Sequence, residues 1–186
     1  MKFSWKKISM ALIAFAISSQ AWSLILIEPY GGYQFKLGGD ATMGSTSESV
    51  DFSGVGYGAR LGIQLVTIMF GASYDMMNFD LKYGNTTSKT DQTNIAAFVG
   101  WNPKLDGIRF WGEYFFEVKN KYTNTTPEGE NKGTGYGVGL GWKFKPWLAL
   151  NAEYRNWEVK EPSNTNLDKV TGQSIFVSLS LPFDIL

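Results

Sequence analysis

Apolar side chains in this chain recur at every second position. In Gly54–Leu65, Val55, Tyr57, Ala59, Leu61, Ile63 and Leu65 fall on one face, and Gly56, Gly58, Arg60, Gly62 and Gln64 on the other. That is the period of a strand whose two faces meet different surroundings. Residues 133–145 repeat the pattern: Tyr136, Val138, Leu140, Trp142 and Phe144 alternate with Gly135, Gly137, Gly139, Gly141 and Lys143. The same scan predicts strands near residues 27–37, 54–65, 67–80, 93–102, 107–119, 133–145, 147–157 and 171–185, eight in all. The glycines do not make a nucleotide loop, because a dinucleotide fingerprint opens a helix after a strand whereas these continue the strand period itself.

The connections add independent information. Polar stretches at 38–53, 83–92, 120–132 and 160–170 alternate with short links at Val66, at 102–106 and at Lys145-Pro146. One end of the sheet therefore carries all the long loops, the asymmetry of a bacterial outer-membrane barrel.

A soluble barrel of the lipocalin kind also alternates, with its polar face held in water. In residues 54–65 and 133–145 that face is filled mainly by glycine, which weakens a strand unless something needs the space. The interior of a narrow barrel supplies that need. Strand five, with Ile108, Phe110, Tyr114, Phe116 and Val118 outward, places Trp111 and Phe115 inside beside the glycines of strand six, and Phe98 and Phe176 join them. Aromatic residues gather near the strand ends of the apolar face: Trp101, Trp142 and Phe183 at the turn end, Tyr57, Tyr83 and Tyr136 toward the loops. Such girdles mark the two membrane interfaces. The expected fold is all-β, an eight-stranded antiparallel up-and-down transmembrane β-barrel.

Composition sharpens this picture by exclusion. The 186 residues include no Cys and no His, so disulfides, thiol nucleophiles and every Ser-His or Cys-His catalytic arrangement are excluded. Lys2, Lys6 and Lys7 precede the apolar run 8–17 and the small residues Ala21 and Ser23. This is the pattern of a secretory signal peptide over residues 1–23, with the barrel over 24–186; the run is too short to span a bilayer as a helix. Without those three lysines the balance of 17 basic and 17 acidic residues becomes −3, which gives no electrostatic case for binding nucleic acid.

The face expected to line the lumen carries Glu28, Asp75, Glu113, Glu117 and Glu153 with Lys36, Arg60, Arg109, Lys119, Lys143 and Arg155. Buried charges need partners. Arg60, Asp75, Arg109, Glu113, Glu117, Lys143, Glu153 and Arg155 are accordingly read as a structural salt-bridge network, with no catalytic, cofactor or metal site among them.

The signal peptide, amphipathic strands, loop asymmetry and closing segment Ser174-Ile-Phe-Val-Ser-Leu-Ser-Leu-Pro-Phe183 resemble the small eight-stranded outer-membrane barrels, the group of the outer-membrane protein A transmembrane domain and its OmpX-like and OmpW-like relatives. The resemblance implies an outer-membrane location, contact with outer-membrane lipid and lipopolysaccharide, and insertion by the barrel assembly machinery. Members usually end on an aromatic residue, whereas here Phe183 is followed by Asp184, Ile185 and Leu186. Outer-membrane deacylases, palmitoyl transferases, phospholipases and omptin proteases rely on a His that this chain lacks. The expected function is a monomeric, non-enzymatic scaffold with a plugged lumen, meeting a surface partner through four loops. The alternative is a narrow OmpW-like channel for small or hydrophobic compounds.

Overall fold

A computed structural model describes residues 23–43, 46–83, 86–102, 107–122, 129–160 and 169–185. The expected leader lies outside them apart from Ser23, which opens the first strand. The strands are β1 (Ser23–Gly38), β2 (Asp40–Met43), β3 (Thr46–Ser49), β4 (Gly54–Leu65), β5 (Ile68–Tyr83), β6 (Thr86–Trp101), β7 (Gly107–Tyr122), β8 (Gly129–Lys145), β9 (Leu148–Lys160), β10 (Lys169–Ser180) and β11 (Phe183–Ile185). β1 and β4 to β10 pair antiparallel in chain order, and β10 returns to pair with β1 from Tyr30↔Ser180 to Gly38↔Gln173. The sheet thus closes into a barrel of eight strands.

The hydrophobic pattern is inverted relative to a water-soluble protein. Val55, Tyr57, Leu61 and Ile63 of β4 and Tyr136, Val138, Leu140 and Trp142 of β8 all point away from the barrel and are exposed. The glycines between them face inward and leave room for bulky neighbours. A Cβ on Gly139 would stand 2.1 Å from the Trp111 ring, and one on Gly56 2.1 Å from the Met77 sulfur. Trp101, Trp142 and Phe183 at the turn end and Tyr57 and Tyr136 toward the loops are exposed on the outer wall, as a membrane-facing band requires.

Four expectations need correction. Residues 83–92 do not form a loop: β5 runs to Tyr83 and β6 starts at Thr86, so this hairpin stays paired above the apolar band. The stretch 38–53 contains the β2–β3 hairpin, which docks on β10 through Thr42↔Lys169 and Ala41↔Val170. The last predicted strand is broken at Pro182, which removes a ladder donor; β11 then pairs Ile185, Asp184 and Phe183 with Ile25, Leu26 and Ile27 of β1. Finally, β7 carries a bulge at Phe116 and Glu117, where its register shifts against both β6 and β8. One extra residue reverses which face follows. Beyond the bulge Val118, Asn120 and Tyr122 are buried inside, while Glu117 and Lys119 face out.

The β4–β5 connection is a two-residue turn in which Val66 adopts φ 57° and is exposed. A β-branched residue is strained in that region.

Candidate functional site

The lumen is filled in layers. Nearest the turns, Gln64 accepts from Asn102 Nδ2 at 2.9 Å and donates to the Val66 carbonyl at 3.0 Å. Leu26, Met69, Phe98 and Trp111 pack just above as a small apolar cluster. Lys143 is buried at this end, level with Gly107 on β7 and Ala149 on β9.

The middle layer holds charge on all sides. Arg109 of β7 donates to both carboxylate oxygens of Glu28 on β1, one of them at 2.9 Å, and to Asn151 Oδ1 at 2.9 Å. Arg60 of β4 donates to Glu153 of β9 and lies 3.7 Å from Glu28. Arg155 of β9 donates to Glu153 at 2.7 Å and 3.1 Å, and reaches Asp75 of β5 at 3.3 Å and Glu113 of β7 at 3.9 Å. Asp75 also accepts from Asn94 at 2.7 Å and from the Tyr30 hydroxyl at 3.0 Å. Arg60 lies over the Tyr30 and Trp111 rings, 4.4 and 4.7 Å from their centroids, so it is held by π faces as well as by carboxylates.

The structure therefore brings Arg60, Asp75, Arg109, Glu113, Glu153 and Arg155 into one layer, buries Lys143 nearer the turns, and places Glu117 outside the lumen. The bulge is the reason for the last: with no extra residue, Glu117 would have followed Phe115 inward. Lys36 and Lys119 also leave the layer; Lys36 hydrogen-bonds Ser49 at 3.3 Å, and Lys119 pairs with Glu130. Pattern alone does not single out Tyr30 or Asn94 as partners of Asp75, because neither carries charge.

Above this layer the lumen is closed by side chains from opposite walls and from the first connection. Val50 donates its N–H to the Gly39 carbonyl at 3.0 Å, and Asp51 exchanges two backbone hydrogen bonds with Lys82, each 2.8 Å. These bonds tuck Phe52 into the mouth, where its ring lies 5.7 Å from Phe79 on β5 and 5.5 Å from Trp157 on β9. Those two strands face each other across the barrel. Ala41, Leu81, Val118, Tyr122, Val159 and Val170 surround this lid, all buried.

Chemically, the layer is suited to holding walls together. Guanidiniums meet carboxylates on every side, and among the described residues no group of three or more His, Cys, Asp or Glu is arranged to hold a metal ion.

No family model matches the chain, and no curated protein matches it in sequence. Solved structures do match its fold. Ail, the attachment invasion locus protein of Yersinia pestis, crystallised with the heparin analogue sucrose octasulfate, superposes with a TM-score of 0.55 at 13% identity, over 86% of this chain and 99% of that one. Neisserial surface protein A superposes with a TM-score of 0.56 at 13% identity, over 84% of this chain and 97% of that one. Both are small eight-stranded outer-membrane barrels, and the likeness is one of fold.

Proposed function

We propose that this chain, which has the fold of the small eight-stranded outer-membrane barrels, sits in a bacterial outer membrane as a closed scaffold whose work is done by its outer wall and loops. The supporting observation is the lid: Phe52 fills the mouth between Phe79 and Trp157, directly above a layer of ion pairs that spans the lumen. Eight strands leave an interior that side chains can fill. Among the described residues, side chains occupy both the apolar and the charged layers, which supports a lumen closed to solutes. With the interior committed to structure, catalysis in the lumen is not part of this reading. The surfaces left to act are the connections at the loop end, where rigid scaffolds commonly carry binding.

Planar-bilayer recording of the folded protein tests this directly, with outer-membrane fractionation and heat-modifiable gel mobility as the companion measurement. The expected record is flat, from a protein that fractionates with the outer membrane and shifts mobility on boiling. Steady single-channel steps would overturn the closed scaffold in favour of a conduit. A soluble protein without a mobility shift would overturn the membrane placement.

A further inference from the structure

Four lysines stand in one ladder row across four neighbouring strands. Lys119 on β7 is level with Lys132 on β8, Lys132 with Lys160 on β9, and Lys160 with Lys169 on β10. Like charges directly opposite one another destabilise a sheet, so an unbroken row needs an explanation. Part of it is local. Glu130 bridges Lys119 and Lys132 at 2.8 and 3.8 Å, and Glu158 bridges Lys160 and Lys169 at 3.1 and 2.6 Å. Each carboxylate thus serves two ammonium groups, which fixes the spacing of the row and leaves it with surplus positive charge.

The row lies on the outer wall, not in the mouth. On β8 the same face continues through Thr134 to Tyr136, Val138, Leu140 and Trp142, so Lys132 stands four residues above the aromatic edge of the apolar band. That distance is about 13 Å along the strand. The adjoining strands β6 and β5 lack the feature: above the band their outward charges are Asp80, Lys82, Lys89 and Asp91, two of each sign. The positive charge is therefore confined to one side and set at the height where lipid headgroups surround the barrel. Because barrel strands tilt by about 40°, the row also climbs the wall, spanning about 14 Å across four strands and rising by about 9 Å.

We propose that the row Lys119, Lys132, Lys160 and Lys169 binds the phosphorylated headgroup of a glycolipid in the surrounding outer leaflet. A glycolipid bearing phosphates on both its anchor and its sugar core presents anions at several depths, which matches an inclined row; a simple phospholipid presents one depth only. This inference rests on the membrane placement proposed above, and its failure is separable from failure of that placement, because fractionation and mobility are read first.

The test uses the full mature barrel in phosphatidylcholine nanodiscs doped with lipopolysaccharide carrying a phosphorylated inner core. Replacing all four lysines by Gln is expected to weaken retention of that lipopolysaccharide at least about tenfold. The same lipopolysaccharide after enzymatic dephosphorylation is expected to bind both proteins equally weakly. Should the fourfold variant fail to show heat-modifiable mobility, the pair Lys132→Gln and Lys160→Gln replaces it, with a smaller loss in the same direction. Lys82→Gln with Lys89→Gln, on β5 and β6 outside the row, is the control and leaves retention unchanged. Equal retention by wild type and row variant overturns the proposal. So does phosphatidylglycerol holding the wild type as tightly as lipopolysaccharide, or a loss confined to soluble heparin, which would make the row a site for a soluble polyanion.

Discussion

Arg109 on β7 sets both terminal nitrogens of its guanidinium on the carboxylate of Glu28 on β1, four strands away around the barrel wall. Such a pair holds opposite walls together, yet each member also carries the desolvation cost of a buried charge. Removing one partner, by Glu28→Gln or Arg109→Met, strands the other and is expected to destabilise the barrel by about 3–5 kcal/mol. Removing both, by Glu28→Leu with Arg109→Met, is expected to cost less than either alone. Urea-driven folding equilibria in phospholipid vesicles measure this; single-variant losses that simply add would show that the two groups do not interact.

Gly139 and Trp111 compete for one volume, since a Cβ at residue 139 would meet the indole at 2.1 Å. Gly139→Ala is expected to cost about 1–3 kcal/mol through overpacking. Combined with Trp111→Leu, the alanine is expected to be tolerated better than in the wild-type background, a coupling that a double-mutant cycle in the same equilibria reads.

Val66, with φ 57° in the turn between β4 and β5, is one position where the native residue is a poor choice. A glycine meets no steric penalty there, and a primed hairpin turn prefers one. Val66→Gly is therefore expected to stabilise the barrel by about 1 kcal/mol, the strain released less the entropy lost. A lower urea midpoint would contradict this.

Depth along β8 separates lipid from water. Leu140→Arg, in the middle of the outward apolar run, is expected to cost about 2–4 kcal/mol in bilayers, while Thr134→Arg, above the band, costs about 1 kcal/mol or less. Similar losses at both positions would mean that the wall does not face hydrocarbon where the apolar residues stand.

Glu158, above the band, is held below its ordinary value near 4.5 by hydrogen bonds from Lys169 and then Lys160. A lowered carboxyl pKa favours the folded state at neutral pH, and that contribution fades as pH falls through the lowered value. Carboxyl NMR titration is expected to show the Glu158 midpoint below 4.5 and moving upward in Lys169→Gln; an unchanged midpoint would remove Lys169 as its cause.

Much of the architecture was legible because lipid on one side and a packed lumen on the other impose a two-residue period that composition cannot hide. Gly54–Leu65 was placed to the residue for that reason. The period vanishes where both faces are polar: above the band, β6 has Lys89 and Asp91 outside and Thr90 and Gln92 inside, so its end of a paired hairpin reads as a loop. The bulge at Phe116 was hidden because two adjacent aromatics, Phe115 and Phe116, fit either face, and Glu117 was misplaced with it. The lid was missed because Ala41, Val50 and Phe52 are isolated apolar residues in a polar stretch, with no repeat to mark them. Which guanidinium meets which carboxylate was beyond pattern altogether, since it depends on how the walls face one another after closure.

The middle layer also bears on how the barrel forms. Apart from Arg155 with Glu153 on the same strand, its pairs join residues far apart in the chain: 81 positions between Glu28 and Arg109, 93 between Arg60 and Glu153, 80 between Asp75 and Arg155. None of these can be made within a hairpin, and an open sheet of all eight strands would leave β1 and β10 unjoined and these charges apart. Contacts of such long sequence separation reward the chain late and slow its folding. The ion pairs therefore act as a latch on the final step, penalising half-zipped intermediates and making closure all-or-none.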